Sequence, residues 1–329
     1  MLKPESDDGA QTQVDARFID AFRADVLAGL ALPQKAIPAR WFYDHRGSAL
    51  FEAITALPEY YPTRTETAIL ARIGDELAAL TGKGRAVVEF GSGSSAKTPL
   101  VLAAVAPSAY VPIDISGAFL RESAGGIAAA FPTLPVLPVE ADFTGPVSLP
   151  PQVADTAKLG FFPGSTIGNL APAEAVDLLR GMRRSLGQGA QLLIGTDRIK
   201  DPAMLIEAYD DAAGVTAAFN LNLLARIDRE LAGTIPLDAF AHEARWNDAA
   251  ARIEMHLVAT RPVAFTVGGC PFTMAAGESI HTENSHKYGA RDARLLLRAG
   301  GWTPVREWSD EDRRFAVTLA EALPPEPAP

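Results

Sequence analysis

A chain of 329 residues, 48% hydrophobic and 21% charged, is long enough to bury a full core and has neither the bias of a disordered polymer nor that of a disulfide-stapled miniprotein. Thirty Lys and Arg against forty Asp and Glu leave a net charge of −10 with no basic arm at either end, which argues against a nucleic-acid partner and favours a monomer. Cys270 is the single cysteine, residues 1–13 lack the pattern of a secretory signal, and no apolar run approaches the ~18 residues of a membrane span, so a cytoplasmic chain with no membrane partner is expected.

Residues 1–14 are polar and without period, and are expected to form a flexible tail. From 14 to 32, Phe18, Ile19, Phe22, Val26, Leu27 and Leu30 recur at helical spacing and predict an amphipathic helix. Residues 36–64 crowd six aromatics among Pro38, Pro58 and Pro62 and read as part helix, part ordered loop. Short apolar runs at 87–90, 110–115, 136–139, 159–162 and 191–194 then alternate with helical patterns at 99–105, 117–130 and 172–186, the last closed by Gly187 and Gly189. Such alternation predicts parallel βαβ units in a doubly wound α/β sheet, with ligands at the carboxyl ends of its strands. The rhythm then changes, with a helical stretch at 202–231 followed by antiparallel strands over 240–288. A helix at 292–299, a Gly-Gly turn and a strand at 314–319 complete the first sheet, so the fold expected is α/β with a second, inserted α+β unit.

Within Val87-Val88-Glu89-Phe90-Gly91-Ser92-Gly93-Ser94-Ser95-Ala96-Lys97, a buried strand enters a glycine-rich turn and a helix start, where bare backbone approaches a ligand closely and free N–H groups attract an anion. G-x-G-x-x-A also fits a dinucleotide fingerprint. Two carboxylates sharpen the reading: Asp114 closes the second strand, placed to accept from ribose hydroxyls, and Asp142, beside Phe143, follows the third, placed to accept from an adenine amine. A nucleoside without a pyrophosphate suits that set, and S-adenosylmethionine is such a ligand. Lys97, a cation in a first helical turn, opposes the helix dipole and calls for a carboxylate partner, such as that of the cofactor's methionyl group.

Five histidines and one cysteine show no HxxxH or CxxC spacing, so no metal is expected, and no nucleophile motif supports covalent catalysis. Methyl transfer needs neither, since an in-line displacement chiefly requires a lone pair held at attack distance. At the end of the fourth strand, Gly164 offers a bare carbonyl and Asn169 both donors and an acceptor. In Ile280-His281-Thr282-Glu283-Asn284-Ser285-His286-Lys287, a two-residue period puts Glu283 and Ser285 on one face, able to grip a ring bearing an N–H and a second nitrogen; the same alternation also fits a solvated face.

Trp41-Phe42-Tyr43-Asp44, Leu57-Pro58-Glu59-Tyr60-Tyr61-Pro62-Thr63-Arg64, Glu89-Phe90-Gly91-Ser92-Gly93-Ser94, Gly164-Ser165-Thr166-Ile167-Gly168-Asn169, the stretch from Ala208-Tyr209-Asp210-Asp211 to Phe219-Asn220, and Thr282-Glu283-Asn284-Ser285 together resemble the L-histidine Nα-methyltransferases of ergothioneine biosynthesis, in that family's order and across residues 17–321. The resemblance implies three transfers from S-adenosylmethionine to the α-nitrogen of histidine, giving hercynine. It implies a class I methyltransferase Rossmann-like domain from 64–199 and 287–329, and a substrate-binding domain from 15–63 and 200–286. It assigns the cofactor to Gly91, Lys97, Asp114, Asp142 and Phe143, the amino acid's backbone to Tyr60, Gly164, Asn169 and Tyr209 with Tyr43 nearby, and the imidazole to Glu283 and Ser285. Tyr43 and Asn169 are the catalytic candidates. A methyltransferase of another amino acid or amine, a nicotinamide-dependent oxidoreductase using Gly91, Gly93 and Ala96, and a non-enzymatic sensor are the alternative readings.

Overall fold

The computed structural model describes residues 8–323, with side chains from residue 18 onward. The chain opens with α1 (Asp8–Leu30), β1 (Lys35–Ala36), a short 3-10 turn at Ala39–Phe42, α2 (His45–Thr55) and α3 (Tyr61–Thr81). The alternating stretch follows as β2 (Ala86–Phe90), α4 (Thr98–Val105), β3 (Ala109–Asp114), α5 (Gly117–Ala130), β4 (Val139–Glu140), β5 (Lys158–Phe162), α6 (Pro172–Leu186) and β6 (Gln191–Asp197). Next come α7 (Pro202–Tyr209), α8 (Val215–Leu231), β7 (Phe240–Asn247), β8 (Arg252–Ala259), β9 (Val263–Val267), β10 (Cys270–Met274) and β11 (Ser279–His286). The chain closes with α9 (Ala290–Ala299), β12 (Trp302–Ser309) and β13 (Phe315–Ala322).

Seven strands form one sheet in the order β12-β13-β6-β5-β2-β3-β4. Neighbours from β4 to β6 run parallel, whereas β13 pairs antiparallel with β6 and β12 with β13. This is the doubly wound α/β sheet expected. Every residue of β2, β5 and β6 is buried, as covering on both faces requires, and side chains alternate between two cores: Val88 and Phe90 join one, Val87 the other. The chain order reverses between β5 and β2, which opens a crevice at their carboxyl ends. A second sheet, ordered β1-β11-β8-β7, packs with α1, α2, α7 and α8 around a third core containing Phe22, Trp41, Phe42, Phe219 and Leu223.

Several boundaries differ from the sequence reading for identifiable reasons. The first helix begins at Asp8, so residues 8–14 of the expected flexible tail are helical, and residues 1–7 lie outside the described residues. The stretch read as one helix over 202–231 is two, because the Asp211 carboxylate accepts from the backbone N–H groups of Val215 and Thr216 at 3.0 and 2.7 Å and restarts the helix after Gly214, at φ +72°. Pro135 and Pro138 remove ladder donors, so the strand read over 136–139 shrinks to Val139–Glu140, with Val136 in an isolated bridge to Tyr110. β12 went unread, since Pro304 and a register shift between Pro304 and Arg306 hide its alternation. α3 crosses the boundary expected at 63/64 and packs on α4 and β13 of the larger sheet.

Candidate active site

A cavity of about 1280 Å³ lies between the carboxyl ends of β2, β3 and β5 and the inner face of the second sheet. All twelve residues singled out in the sequence line it, which the topology explains: each follows a strand of one sheet or belongs to an element of the other that faces it.

On the larger-sheet side, Gly91 and Gly93 take left-handed conformations, at φ +70° and +49°, as β2 turns toward α4. A Cβ on Gly91 would lie 3.2 Å from the Phe143 ring, so the ring and the bare turn face each other closely. Asp114 accepts from the N–H groups of Gly93 and Ser116, both at 2.9 Å, and thereby shapes the turn. Asp142 accepts from the Thr144 N–H and hydroxyl, and its Oδ2 takes a 3.1 Å bond from Arg40, which also pairs with Asp25 of α1 at 2.6 Å. Ser92 Oγ is buried beside the turn without a hydrogen-bond partner. Lys97 does have the carboxylate partner its position calls for, but it is Glu66 of α3, which is fully buried and also accepts from the Gly164 N–H at 2.8 Å. One carboxylate therefore holds both the start of α4 and the loop after β5. Glu89 is buried beneath the turn, and its ordinary value of 4.5 is pushed up to about 7 by loss of solvent, against bonds from Tyr110 and Thr98.

On the opposite side, Tyr43, Tyr60 and Tyr209 form an aromatic wall with Phe51 and Phe219, with Tyr60 and Tyr209 rings 5.9 Å apart. Asp44 caps α2 through the Gly47 N–H at 2.6 Å and accepts from Asn222 and Arg229 of α8, which anchors Tyr43. Burial raises the phenols of Tyr43 and Tyr60 well above 10, so both stay protonated. Asn169 Nδ2 donates to Glu283 Oε1 at 3.0 Å, bringing the amine candidate and the ring candidate into direct contact.

The inner position of Glu283 and Ser285 depends on a β-bulge. Ile280 pairs with Leu257, Glu283 with Met255 and Ser285 with Ile253, with a register shift between His281 and Glu283. Ile253, Met255 and Leu257 all face the core, so the extra residue, Thr282, resets the phase and turns Glu283 and Ser285 inward. Thr282 Oγ1 lies 2.8 Å from Asn220 Oδ1 and 3.0 Å from Met255 O, sharing its proton between them, and Asn220 in turn bonds His242 and the His256 carbonyl, which gives Asn220 a mechanical role. Glu283 keeps contact with the cavity but is walled from bulk solvent, which pushes its carboxyl up to about 7 despite the opposing pull of Lys287.

Sequence reasoning missed Glu66, Asp197 and Lys287. Lys287 is fully buried, pairs with Asp197 at 2.9 Å, and donates to Ser285 Oγ at 2.7 Å and Tyr209 OH at 3.0 Å. A lysine following a polar strand carries no signal of burial, and Asp197 lies beyond the end read for its strand. The fold also gathers Glu254, His256 and His281 across β8 and β11, which spacing along the chain does not reveal. Glu254 is engaged by Arg252 and Asn247, His256 Nε2 lies 3.1 Å from Glu254 Oε2 and His281 Nε2 3.0 Å from the Glu283 carbonyl oxygen, and the two imidazoles stack at 15°.

Comparison with known proteins decides the family. Residues 22–322 match the family described as "Histidine-specific methyltransferase, SAM-dependent". The chain belongs to that family. It is 41% identical to histidine N-alpha-methyltransferase of Mycolicibacterium smegmatis over 92% of this chain and 95% of that protein, and 40% identical to histidine N-alpha-methyltransferase of Mycobacterium tuberculosis over 91% and 94%. Ergothioneine biosynthesis protein 1 of Neurospora crassa is 29% identical over 83% of this chain and 32% of that protein. The cofactor of this methyltransferase is S-adenosylmethionine, and among the described residues no helix is long and apolar enough to cross a membrane.

Proposed function

We propose that the protein transfers methyl groups from S-adenosylmethionine to the α-amino nitrogen of L-histidine, three successive times, giving hercynine for ergothioneine biosynthesis. The observation that carries this reading is the inward Glu283 and Ser285 pair beside Asn169, across the cavity from the glycine turn. The larger sheet with α3 to α6 is the cofactor domain, and the second sheet with its helices is the substrate domain. The lone exposed Cys270 and the charge of −10 support a cytoplasmic monomer.

The residues around the turn suit the cofactor. The bare Gly91 backbone against Phe143, the unpartnered Ser92 Oγ and two carboxylates with lone pairs to spare form a cradle for a nucleoside. Gly91, Asp114, Asp142 and Phe143 would hold the adenosine, with Lys97 at the methionyl end. When bound there, the cofactor supplies a sulfonium-activated methyl group.

The chain's own contribution is to present the amine. Glu283 accepts an imidazole N–H, a charge-assisted bond worth about 1.5–3 kcal/mol, and Ser285 meets the second ring nitrogen. Tyr60 and Tyr209, both protonated, donate to the substrate carboxylate. With one Asn169 Nδ2 proton on Glu283 fixing the amide's orientation, its carbonyl oxygen, with that of Gly164, accepts the amine N–H bonds and aims the lone pair. Tyr43 stays a phenol and serves as a hydroxyl partner beside the nitrogen, while the amine, with a pKa near or above ~8, loses its proton to solvent. Every methyl added removes an N–H donor, so binding rests on the ring and carboxylate grips.

The test is turnover in an equimolar amino-acid mixture with S-adenosylmethionine, followed by mass spectrometry. Histidine carrying one, two and then three methyl groups on the α-nitrogen is expected. Preferential methylation of another amino acid, or of a ring nitrogen, would reject the assignment.

A further inference from the structure

The polar network behind the ring and carboxylate grips has a proton count that leads beyond the contacts themselves. Lys287 Nζ touches Ser285 Oγ, Tyr209 OH and Asp197 Oδ2 at 2.7, 3.0 and 2.9 Å. An ammonium has three N–H donors and no acceptor, so these contacts use everything it has. Both hydroxyl oxygens must therefore accept from Lys287. They are also 2.7 Å from each other, which commits one hydroxyl proton to the bond between them. The other proton has no partner among these three groups; its neighbours are the cavity, which both residues line, and Tyr60, whose ring is 5.9 Å from that of Tyr209 and lines the same cavity. Without Lys287, either hydroxyl is free to rotate its proton away from the substrate.

We propose that Lys287 is a positioning residue: held by Asp197, it polarises the Tyr209 and Ser285 hydroxyls, forces one donor into the cavity and thereby sets the affinity for histidine. This inference rests on the histidine methyltransferase reading. An ion-pair role alone does not account for the residue, because Asp197 already accepts from Lys200 at 2.5 Å, Tyr61 at 2.6 Å and the Arg198 N–H at 2.9 Å. The cation also sits directly behind two hydroxyls, which makes them stronger donors toward an anionic group such as a carboxylate.

Calorimetry on the full chain tests the idea, with histidine and S-adenosylmethionine titrated separately. Histidine binding by the unaltered protein comes first, and its absence would reject the substrate reading rather than the role of Lys287. Given that binding, Lys287→Met is expected to weaken histidine about 10- to 100-fold, as loss of charged hydrogen bonds implies, and to leave S-adenosylmethionine within about twofold. Lys287→Gln, which retains a donor pair, is expected to recover part of the loss and carries the same comparison should Lys287→Met fail to fold. In a Tyr209→Phe, Ser285→Ala background, changing Lys287 is expected to add less than about twofold, since its effect travels through those hydroxyls. Unchanged histidine affinity, equal weakening of both ligands, or a loss that multiplies in full in the altered background would overturn the proposal.

Discussion

Replacing Glu283 with glutamine isolates what the protein gives up to keep a carboxylate at the proposed ring contact. Its carboxyl stands at about 7 instead of 4.5 because burial disfavours the charge. Folding therefore favours the protonated form: the cost is absent below about pH 4.5, grows as pH rises toward 7, and is present in full above it. The difference corresponds to ~3 kcal/mol at pH 8, an upper bound because the cavity side of Glu283 is solvated, and about 2 kcal/mol is the expected gain on removing the charge. Glutamine retains an oxygen for the Asn169 donor, so the change is close to isosteric. In thermal melts Glu283→Gln is expected to raise the midpoint by about 4 °C at pH 8 and by little at pH 5. In calorimetry at pH 8 it is expected to weaken histidine by tenfold or more while S-adenosylmethionine binds as before. A midpoint that falls at pH 8, or a gain that is the same at both pH values, would refute the burial argument; unaltered histidine affinity would refute the ring assignment.

Glu66→Gln removes the charge facing Lys97 but preserves an acceptor for the Gly164 N–H, and is expected to cost roughly 2 kcal/mol, less than the ~3–5 of a fully buried pair because Lys97 reaches some solvent. The same variant is expected to weaken S-adenosylmethionine about tenfold, read by calorimetry; an unchanged affinity would separate Lys97 from the cofactor. Gly168→Ala places a Cβ 2.7 Å from the His286 carbonyl oxygen, backbone that cannot rotate away, so a loss of about 1–3 kcal/mol in chemical denaturation and a fall in kcat are expected. Wild-type stability there would mean that the loop at 164–169 is not seated on β11.

The alternating core was legible because each βαβ unit repeats a buried run, a turn and an amphipathic helix: 117–130 and 172–186 match α5 and α6 in full. The glycine turn and the acids after β3 and β4 were legible because strand ends mark a crevice whatever the side chains do. Charge partners were not. Lys97 announced that it needed a carboxylate, yet nothing along the chain pairs it with Glu66, which lies on the buried Ile69, Leu70, Ile73 and Leu77 face of α3; Gly195 is what makes room for it, since a Cβ there would lie 2.1 Å from Glu66 Oε1. Lys287 and Asp197 meet only where the chain crosses between the two sheets, a juxtaposition that exists in three dimensions and leaves no period in one.

The bulge at Thr282 means that a single strand of eight residues encodes two possible linings for the cavity proposed to take the substrate. With the extra residue in place, a carboxylate and a hydroxyl look inward; in a strictly alternating ladder continued from Ile280, Thr282, Asn284 and His286 would take their places. Insertion or removal of one residue thus exchanges the whole chemical character of this wall at once, while substitutions alter it a side chain at a time. The preference of such a scaffold for one amino acid over another is stored as much in ladder phase as in residue identity.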